Sequence, residues 1–325
     1  MNNGDFARLP SIIGRRDPYF HTALFAGIDQ LLTDRQDHEI PRLAPLAEDQ
    51  NAYVRGIFKA LCKHADGLTS AAIEHLDRYG TGERFDGFRR MCARAWSLFL
   101  KLPWLGEVRA LSASSAEILQ FWDTPKIPSD ILPAISSWRD RSGVRHKLVN
   151  AEEAREFLDA VYGREAVSIF DACPHPAIKS DYFRLGWLAE HGGLYIDSDE
   201  TMVERFPEVA PLLAGRLVLR FYSNQPTGHF INGLIAAPKG SRTMMRAFEE
   251  ATRRIRANPN AHVLTLAGPG MLTDVLIAEA DHLEEVAVVT NAFMLRNVLR
   301  GVNARYKRDP RSWHVWQAAR SGAGA

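Results

Sequence analysis

KSDYFRLGWLAEHGGLYIDSDET, residues 179–201, reads as a helix, a tight turn, a strand and an acidic tip. Tyr182, Phe183, Gly186, Trp187 and Leu188 recur at helical spacing, and His191-Gly192-Gly193 ends the helix as a C-terminal glycine cap does. Leu194-Tyr195-Ile196 is a short buried strand that delivers Asp197 and Asp199 to its C-terminal end. Two carboxylates two residues apart on an extended chain point to the same side and can face one ion. That pair suits a hard divalent cation, Mn²⁺ or Mg²⁺, held by oxygen and shared with a diphosphate.

With 20 Asp in 325 residues, a lone DxD arises about once per chain by chance, so the triplet alone decides nothing. The spaced set of Ser180-Asp181, Arg184, Gly192-Gly193, an aromatic-aliphatic strand and DxD decides more. It resembles the DxD-containing sugar-transferase region of glycosyltransferase family 32 and the related catalytic domain of clostridial glucosylating toxins. The resemblance implies an α/β, GT-A-like (Rossmann-like) domain and a metal-dependent, retaining transfer of a hexose-type sugar from a UDP- or GDP-sugar. It also implies that Ser180, Asp181 and Arg184 contact the donor, the last two at the sugar hydroxyls, and that Asp197 and Asp199 serve ribose, metal and diphosphate.

The same letters fit a second chemistry. LYIDSDET matches the hydrophobic-DxDxT pattern of haloacid-dehalogenase-type phosphatases, with Asp197 as nucleophile and Asp199 as acid/base. That motif belongs on the first strand of its domain, followed by an acidic GDxxxD-like segment, and neither context is present. A third reading is a transferase fold that has lost activity and serves as a scaffold; four converging charges argue against it. The bland reading makes the two carboxylates ordinary surface turn residues.

At 46% hydrophobic and 24% charged, the chain suits a large globular domain with a smaller one, and a net charge of +1 argues against a dominant nucleic-acid or polyanion role. Cys62, Cys92 and Cys173 lack CxxC or zinc spacing, so reduced thiols are expected. No apolar leader opens the sequence and no apolar run approaches membrane-spanning length, which predicts a cytoplasmic protein. The partners implied are a nucleotide-sugar donor and a saccharide, lipid-linked sugar, natural product or protein acceptor, with no nucleic acid.

Three regions follow: a helical N-terminal region at 1–111, a GT-A-like domain at 112–316, and a disordered tail at 317–325. Apolar periodicity predicts at least four helices between about 18 and 110, through Leu24, Ile28 and Leu31, then Val54, Ile57 and Leu61, then Met91, Ala95 and Phe99. After a polar spacer at 112–115, strand and helix alternate: strand 117–122, helix 130–141, strand 145–149, helix 151–162. Such alternation predicts a parallel sheet with helices on its faces. Pro174 and Pro176 predict an extended link before the helix of the key stretch, with His175 a loop residue. Further strands are expected at 216–221, 229–237 and 286–290. The helix at 242–257 carries Arg246, Arg253, Arg254 and Arg256 as a solvated face.

The family resembled opens its catalytic domain on an I-H-Q-I-W-like strand. Here ILQFWDTPKIP matches with Leu119 in place of His, and puts Trp122 where the related toxins stack the nucleotide base. Trp122 as plain core is the alternative. Asn232, Gly233 and Pro238 match an N-G-x-I-A-x-P segment, where the Asn232 amide can orient a hydroxyl without adding charge. Gly268 and Gly270, in a segment that matches the family's GPG, let the backbone pass close to an anion at a helix start. GT-A-like enzymes commonly draw a further metal ligand from the C-terminal segment. His314, within the Trp313–Trp316 cluster, is the first candidate, and Asp309 the second.

Overall fold

The structure is a computed structural model that describes residues 22–48, 50–82, 85–105, 117–283 and 286–322. The spacer at 112–115 and the boundary at 111 lie outside the described residues. Helices α1 (Thr22–Thr33), α2 (Ala44–Ala47), α3 (Ala52–Ala65), α4 (Thr69–Thr81) and α5 (Gly87–Lys101) come first, before any strand. Then follow β1 (Glu117–Phe121), α6 (Leu132–Arg141), β2 (Arg145–Val149), α7 (Ala151–Tyr162), α8 (Arg164–Ala172), α9 (Pro176–His191), β3 (Gly193–Ile196), β4 (Glu200–Met202), α10 (Phe206–Leu213), β5 (Leu217–Phe221) and β6 (Phe230–Ala237). The chain closes with α11 (Arg242–Ala257), α12 (Val263–Leu266), α13 (Pro269–Ala278), β7 (Val286–Thr290), α14 (Asn291–Asn297), β8 (Leu299–Gly301) and α15 (Trp313–Gly322). Among the described residues no helix is long and apolar enough to cross a membrane.

The α/β class expected from the sequence holds, but the sheet is mixed. Its six strands have the order β2-β1-β3-β6-β5-β7. β1 is parallel to β2 and to β3, whereas β6 runs antiparallel to β3, pairing Gly193 with Ala237 and Ile196 with Leu234. β4 and β8 form a separate antiparallel pair. Other departures are local. α8 fills part of the expected link, and α9 starts at Pro176 because proline at a first helical position loses no hydrogen bond. His175 is its N-cap, its Nδ1 accepting from the Ala177 N–H at 3.1 Å. The segment expected as a basic loop after β7 contains α14, β8 and a 3₁₀ turn at Arg305–Arg308, and α15 runs to Gly322 within the stretch expected to be disordered.

The chain divides into two compact units. The first comprises the described residues up to Leu102 with Arg220–Phe230 and Val288–Phe293. Asn51 and Asp86 cap α3 and α5, accepting from the Val54 and Arg89 N–H groups at 3.1 and 2.8 Å. The core of this unit is aromatic: Trp96 meets Phe221 edge-on at 4.7 Å, and Phe99 stacks on Phe221 at 4.5 Å. A polar group lies in the same interior. Asp29, 4% exposed, accepts from Ser223 Oγ at 2.5 Å, and burial outweighs this bond, raising its carboxyl from the ordinary 3.8 to about 6. The second unit comprises the described residues of the ranges Pro103–Leu219, Ile231–Ala287 and 294–322 and contains α9, β3, β4 and β8.

Asp29 gives the first testable outcome. Its folded pKa lies above the unfolded one, so the fold binds the extra proton: its stabilising contribution is complete below about pH 4 and is lost as pH rises through about 6. A two-unit shift corresponds to about 3 kcal/mol. Urea unfolding between pH 4 and 7 should show the parent losing about that much relative to Asp29→Asn; parallel curves would refute the assignment.

Candidate active site

α9 carries the site because its spacing does. Ser180, Asp181 and Arg184 stand at i, i+1 and i+4, so all three lie toward one side of the helix, while Tyr182, Phe183, Leu185 and Leu188 are fully buried. Each such side chain stabilises by about 1.5–3 kcal/mol, enough together to anchor a helix that also buries charge. The helix stops at Gly192 and Gly193, whose φ values of 66° and 99° suit glycine and where a Cβ would strike backbone at 2.4 and 2.6 Å. β3 begins at once and ends at Ile196, leaving Asp197 and Asp199 at its C-terminal end, as the sequence implied.

Arg184 is 3% exposed, and its guanidinium joins most of the expected residues. One terminal nitrogen lies 2.9 Å from Asp181 Oδ1, 3.1 Å from Asp197 Oδ1 and 3.0 Å from Ser180 Oγ. The other donates to the Asn232 carbonyl at 2.5 Å, Nε donates to the Ser180 carbonyl at 3.3 Å, and the plane lies 4.0 Å from the Tyr195 ring centre. Asn232 Nδ2 donates to Asp181 Oδ1 at 2.9 Å. Tyr195 OH donates to Asp197 Oδ1 at 3.1 Å and shares a hydrogen bond with Ser180 Oγ at 2.8 Å. These protein oxygens make Arg184 the hub on which the carboxylates are arranged, while its expected contact with sugar hydroxyls belongs to the proposal below.

The electrostatics follow from that burial. Desolvation raises the Asp181 carboxyl to about 6 against the pull of Arg184, with Asp197 raising it further. Desolvation likewise raises Asp197, opposed by Arg184 and reinforced by Asp199. Burial works against the charge of Arg184, yet Tyr195, Asp197 and Asp181 together hold it above the usual guanidinium range. Asp197 keeps a route to solvent, with 37% of its side chain exposed.

Two glycines shape the surroundings. A Cβ on Gly233 would lie 2.6 Å from Asp197 Oδ2, and one on Gly268 would lie 3.2 Å from Asp181 Oδ2, so the GPG segment runs beside Asp181. Gly270 answers to the chain itself, since its Cβ would meet the Leu264 carbonyl at 2.9 Å. Trp122 is half-buried on Ile131 and Ile135, with the Tyr306 ring edge-on at 5.6 Å.

His314 is not brought to the acidic pair. It stacks on Trp313 at 3.6 Å, and among the described residues no three His, Cys, Asp or Glu side chains are grouped to hold an ion. Asp309 pairs with Arg311 at 2.6 Å instead. Asp199 Oδ2 is met by residues the sequence reading passed over: Tyr306 OH donates at 2.8 Å and Lys307 Nζ lies at 2.6 Å. Gln120 was also missed. Fully buried, it donates to the Asp197 carbonyl at 3.3 Å and hydrogen-bonds His146 at 2.8 Å. Its place in the ILQFW strand was the one available signal; Tyr306 and Lys307 had none.

With this geometry in view, the comparisons with known proteins point one way. Residues 128–215, from the start of the α6 segment through the acidic pair, match the family described as the glycosyltransferase sugar-binding region containing DXD motif. Residues 128–215 thus form a DxD glycosyltransferase sugar-binding region within an α/β domain. A solved structure titled PaToxG glycosyltransferase is similar over 82% of this chain and 97% of its own, at 16% identity and a TM-score of 0.41, a likeness too loose to argue from. No curated protein matches.

Two substitutions probe the hub. Arg184→Lys offers one compact donor where five protein oxygens and a ring face are served, and should cost about 2–4 kcal/mol in chemical unfolding; a loss within error would deny Arg184 this role. Gly233→Ala must push the Asp197 carboxylate aside and should lower sugar-transfer turnover about a hundred-fold while the protein stays folded. Parent-like turnover would show that the Asp197 position is immaterial.

Proposed function

We propose that the protein is a metal-dependent, retaining glycosyltransferase that moves a hexose-type sugar from a UDP- or GDP-sugar to an acceptor hydroxyl. The observation that carries this reading is the acidic pair at the end of β3, inside the matched sugar-binding region, with Asp197 Oδ2 facing the bare Cα of Gly233 from β6. The donor set fits the cofactor. Two carboxylates are hard oxygen ligands suited to Mn²⁺ or Mg²⁺, and the space a Cβ would fill keeps the Asp197 oxygen unobstructed.

Asp197 and Asp199 would hold the ion, which supplies charge neutralisation at the departing diphosphate. In the transfer, the bond between the anomeric carbon and the diphosphate oxygen breaks with its electron pair leaving on oxygen. The acceptor oxygen forms the new bond and gives up its proton to the departing diphosphate oxygen. Asp181, fixed by Arg184 and Asn232, is placed to stabilise the cation-like anomeric carbon and to orient a hydroxyl. Trp122 offers a half-buried ring to the base, and the segment from Gly268 to Gly270 brings backbone alongside Asp181. Retention follows the family resemblance. The dehalogenase-type alternative is disfavoured by the match at 128–215 and by a DxD that follows the third strand of the chain.

The test is a panel of UDP- and GDP-hexoses with Mn²⁺, read as release of nucleoside diphosphate. One donor should turn over, EDTA should stop it, and Asp197→Asn or Asp199→Asn should each lower the rate at least about a hundred-fold. Phosphate release from simple esters instead would support the phosphatase; no donor binding at all would support the scaffold.

A further inference from the structure

Two cations serve the acidic cluster, and they are held very differently. Arg184 is buried among five protein oxygens, whereas 39% of the Lys307 side chain is exposed at the end of a four-carbon stem. Lys307 stands on the 3₁₀ turn at Arg305–Arg308, and its ammonium divides between Asp199 Oδ2 at 2.6 Å and the Val302 carbonyl at 2.9 Å. The segment is fixed by backbone: Val302 N–H donates to the Asp199 carbonyl at 2.9 Å, and β8 pairs with β4 from Glu200–Gly301 to Met202–Leu299. Asp199 itself is 16% exposed, so its charge is costly without a partner.

Charge bookkeeping gives Lys307 a purpose. Asp181, Asp197 and Asp199, if ionised, carry three negative charges; Arg184 and Lys307 carry two positive ones, leaving one net negative. A divalent ion turns this to one net positive, which suits a nucleoside diphosphate. If Lys307 stayed on Asp199, it would crowd the incoming ion and share its ligand; released, it stands beside the ion and the diphosphate that the ion binds.

We propose that Lys307 is a displaceable counter-ion of the second DxD carboxylate: its ammonium holds Asp199 in place of the divalent ion, gives it up when the ion binds, and then meets the diphosphate of the donor. This rests on the proposed reading of the acidic pair as a metal site. A lysine suits the task, being a compact charge on a flexible stem, where an arginine would fix a planar fork.

The experiment uses the full chain and titrates Mn²⁺, followed by the paramagnetic signal of the free ion, without nucleotide, in the parent, Lys307→Met, Lys307→Arg and Asp199→Asn. Lys307→Met should bind Mn²⁺ about two- to five-fold more tightly, the range for a partly exposed ion pair. Lys307→Arg should bind no more tightly than the parent, and Asp199→Asn should lose the site. With Mn²⁺ saturating, Lys307→Met should then bind UDP or GDP several-fold more weakly, while the free nucleoside is unaffected. Thermal unfolding in EDTA checks that the variants are folded. Equal Mn²⁺ affinity of parent and Lys307→Met, with Asp199→Asn defective, overturns the inference and leaves the metal site standing. Tighter Mn²⁺ with unchanged diphosphate affinity overturns the second role of the ammonium. Absence of Mn²⁺ binding in every variant defeats the inference and the metal site together.

Discussion

One guanidinium buried among carboxylates is the constraint on which the site depends. An arginine taken out of water must find partners for its N–H groups or it destabilises the fold severely, and removing one partner of such a buried set costs about 3–5 kcal/mol. Arg184 meets that demand with Asp181, Asp197, Ser180 and the Asn232 carbonyl. The consequence is geometric. Residues from a helix, the strand after it and a distant strand are drawn to one point, and two carboxylates that would repel one another are held within reach of one charge. Tyr195 completes the set by covering the guanidinium face while its hydroxyl, kept protonated by burial, donates to Asp197. The pair Asp181 and Asp197 is therefore preorganised before any substrate arrives, which is where electrostatic catalysis draws its advantage.

Asp199 belongs to a different environment. Its carbonyl is tied to Val302 and its carboxylate to Tyr306 and Lys307, all from the last part of the chain. Burial and the neighbouring Asp199 charge raise the Tyr306 phenol, so it acts as a neutral donor, and its ring edge also meets Trp122. One tyrosine thus joins the acidic tip to the aromatic residue proposed for the base. The two halves of the DxD are unequal: Asp197 is set by the helix that precedes it, Asp199 by the segment that closes over it.

What was legible in the sequence was what local chemistry determines. The glycine pair after His191 gave the end of α9 and the start of β3, and the alternation from residue 117 onward gave α6, α7, α11 and the strands around them nearly residue for residue, whereas the start of α9 at Pro176 was read as an extended link. The i, i+3 spacing put Asp181 and Arg184 on one side of a helix, but both were read as donor contacts and not as partners of each other. What escaped was set by contacts distant in sequence. Nothing around Arg184 says that its other carboxylate is Asp197 or that the Asn232 carbonyl lies 48 residues away. Lys307 sits in a run of basic residues that reads like any solvated turn, and its partner is more than a hundred residues earlier. His314 drew notice as a candidate ligand within an aromatic cluster near the chain end, yet its ring stacks on Trp313.

The mixed sheet shows why pairing direction matters to the chemistry. A parallel neighbour would bring its own C-terminal end, and the loop after it, to the acidic tip of β3. β6 runs the other way, so its first residues arrive there instead. The ladder that pairs Ile196 with Leu234 continues one step to the Asp197 N–H, which donates to the Gly233 carbonyl at 2.8 Å. That single hydrogen bond puts Gly233 against the Asp197 carboxylate and Asn232 beside Asp181. A residue with a side chain at 233 would fill the space facing Asp197, and because β6 runs antiparallel it is the start of that strand, Asn232-Gly233, that lies at the acidic tip. The strand that breaks the expected parallel pattern is thus the one that supplies the site with its third wall.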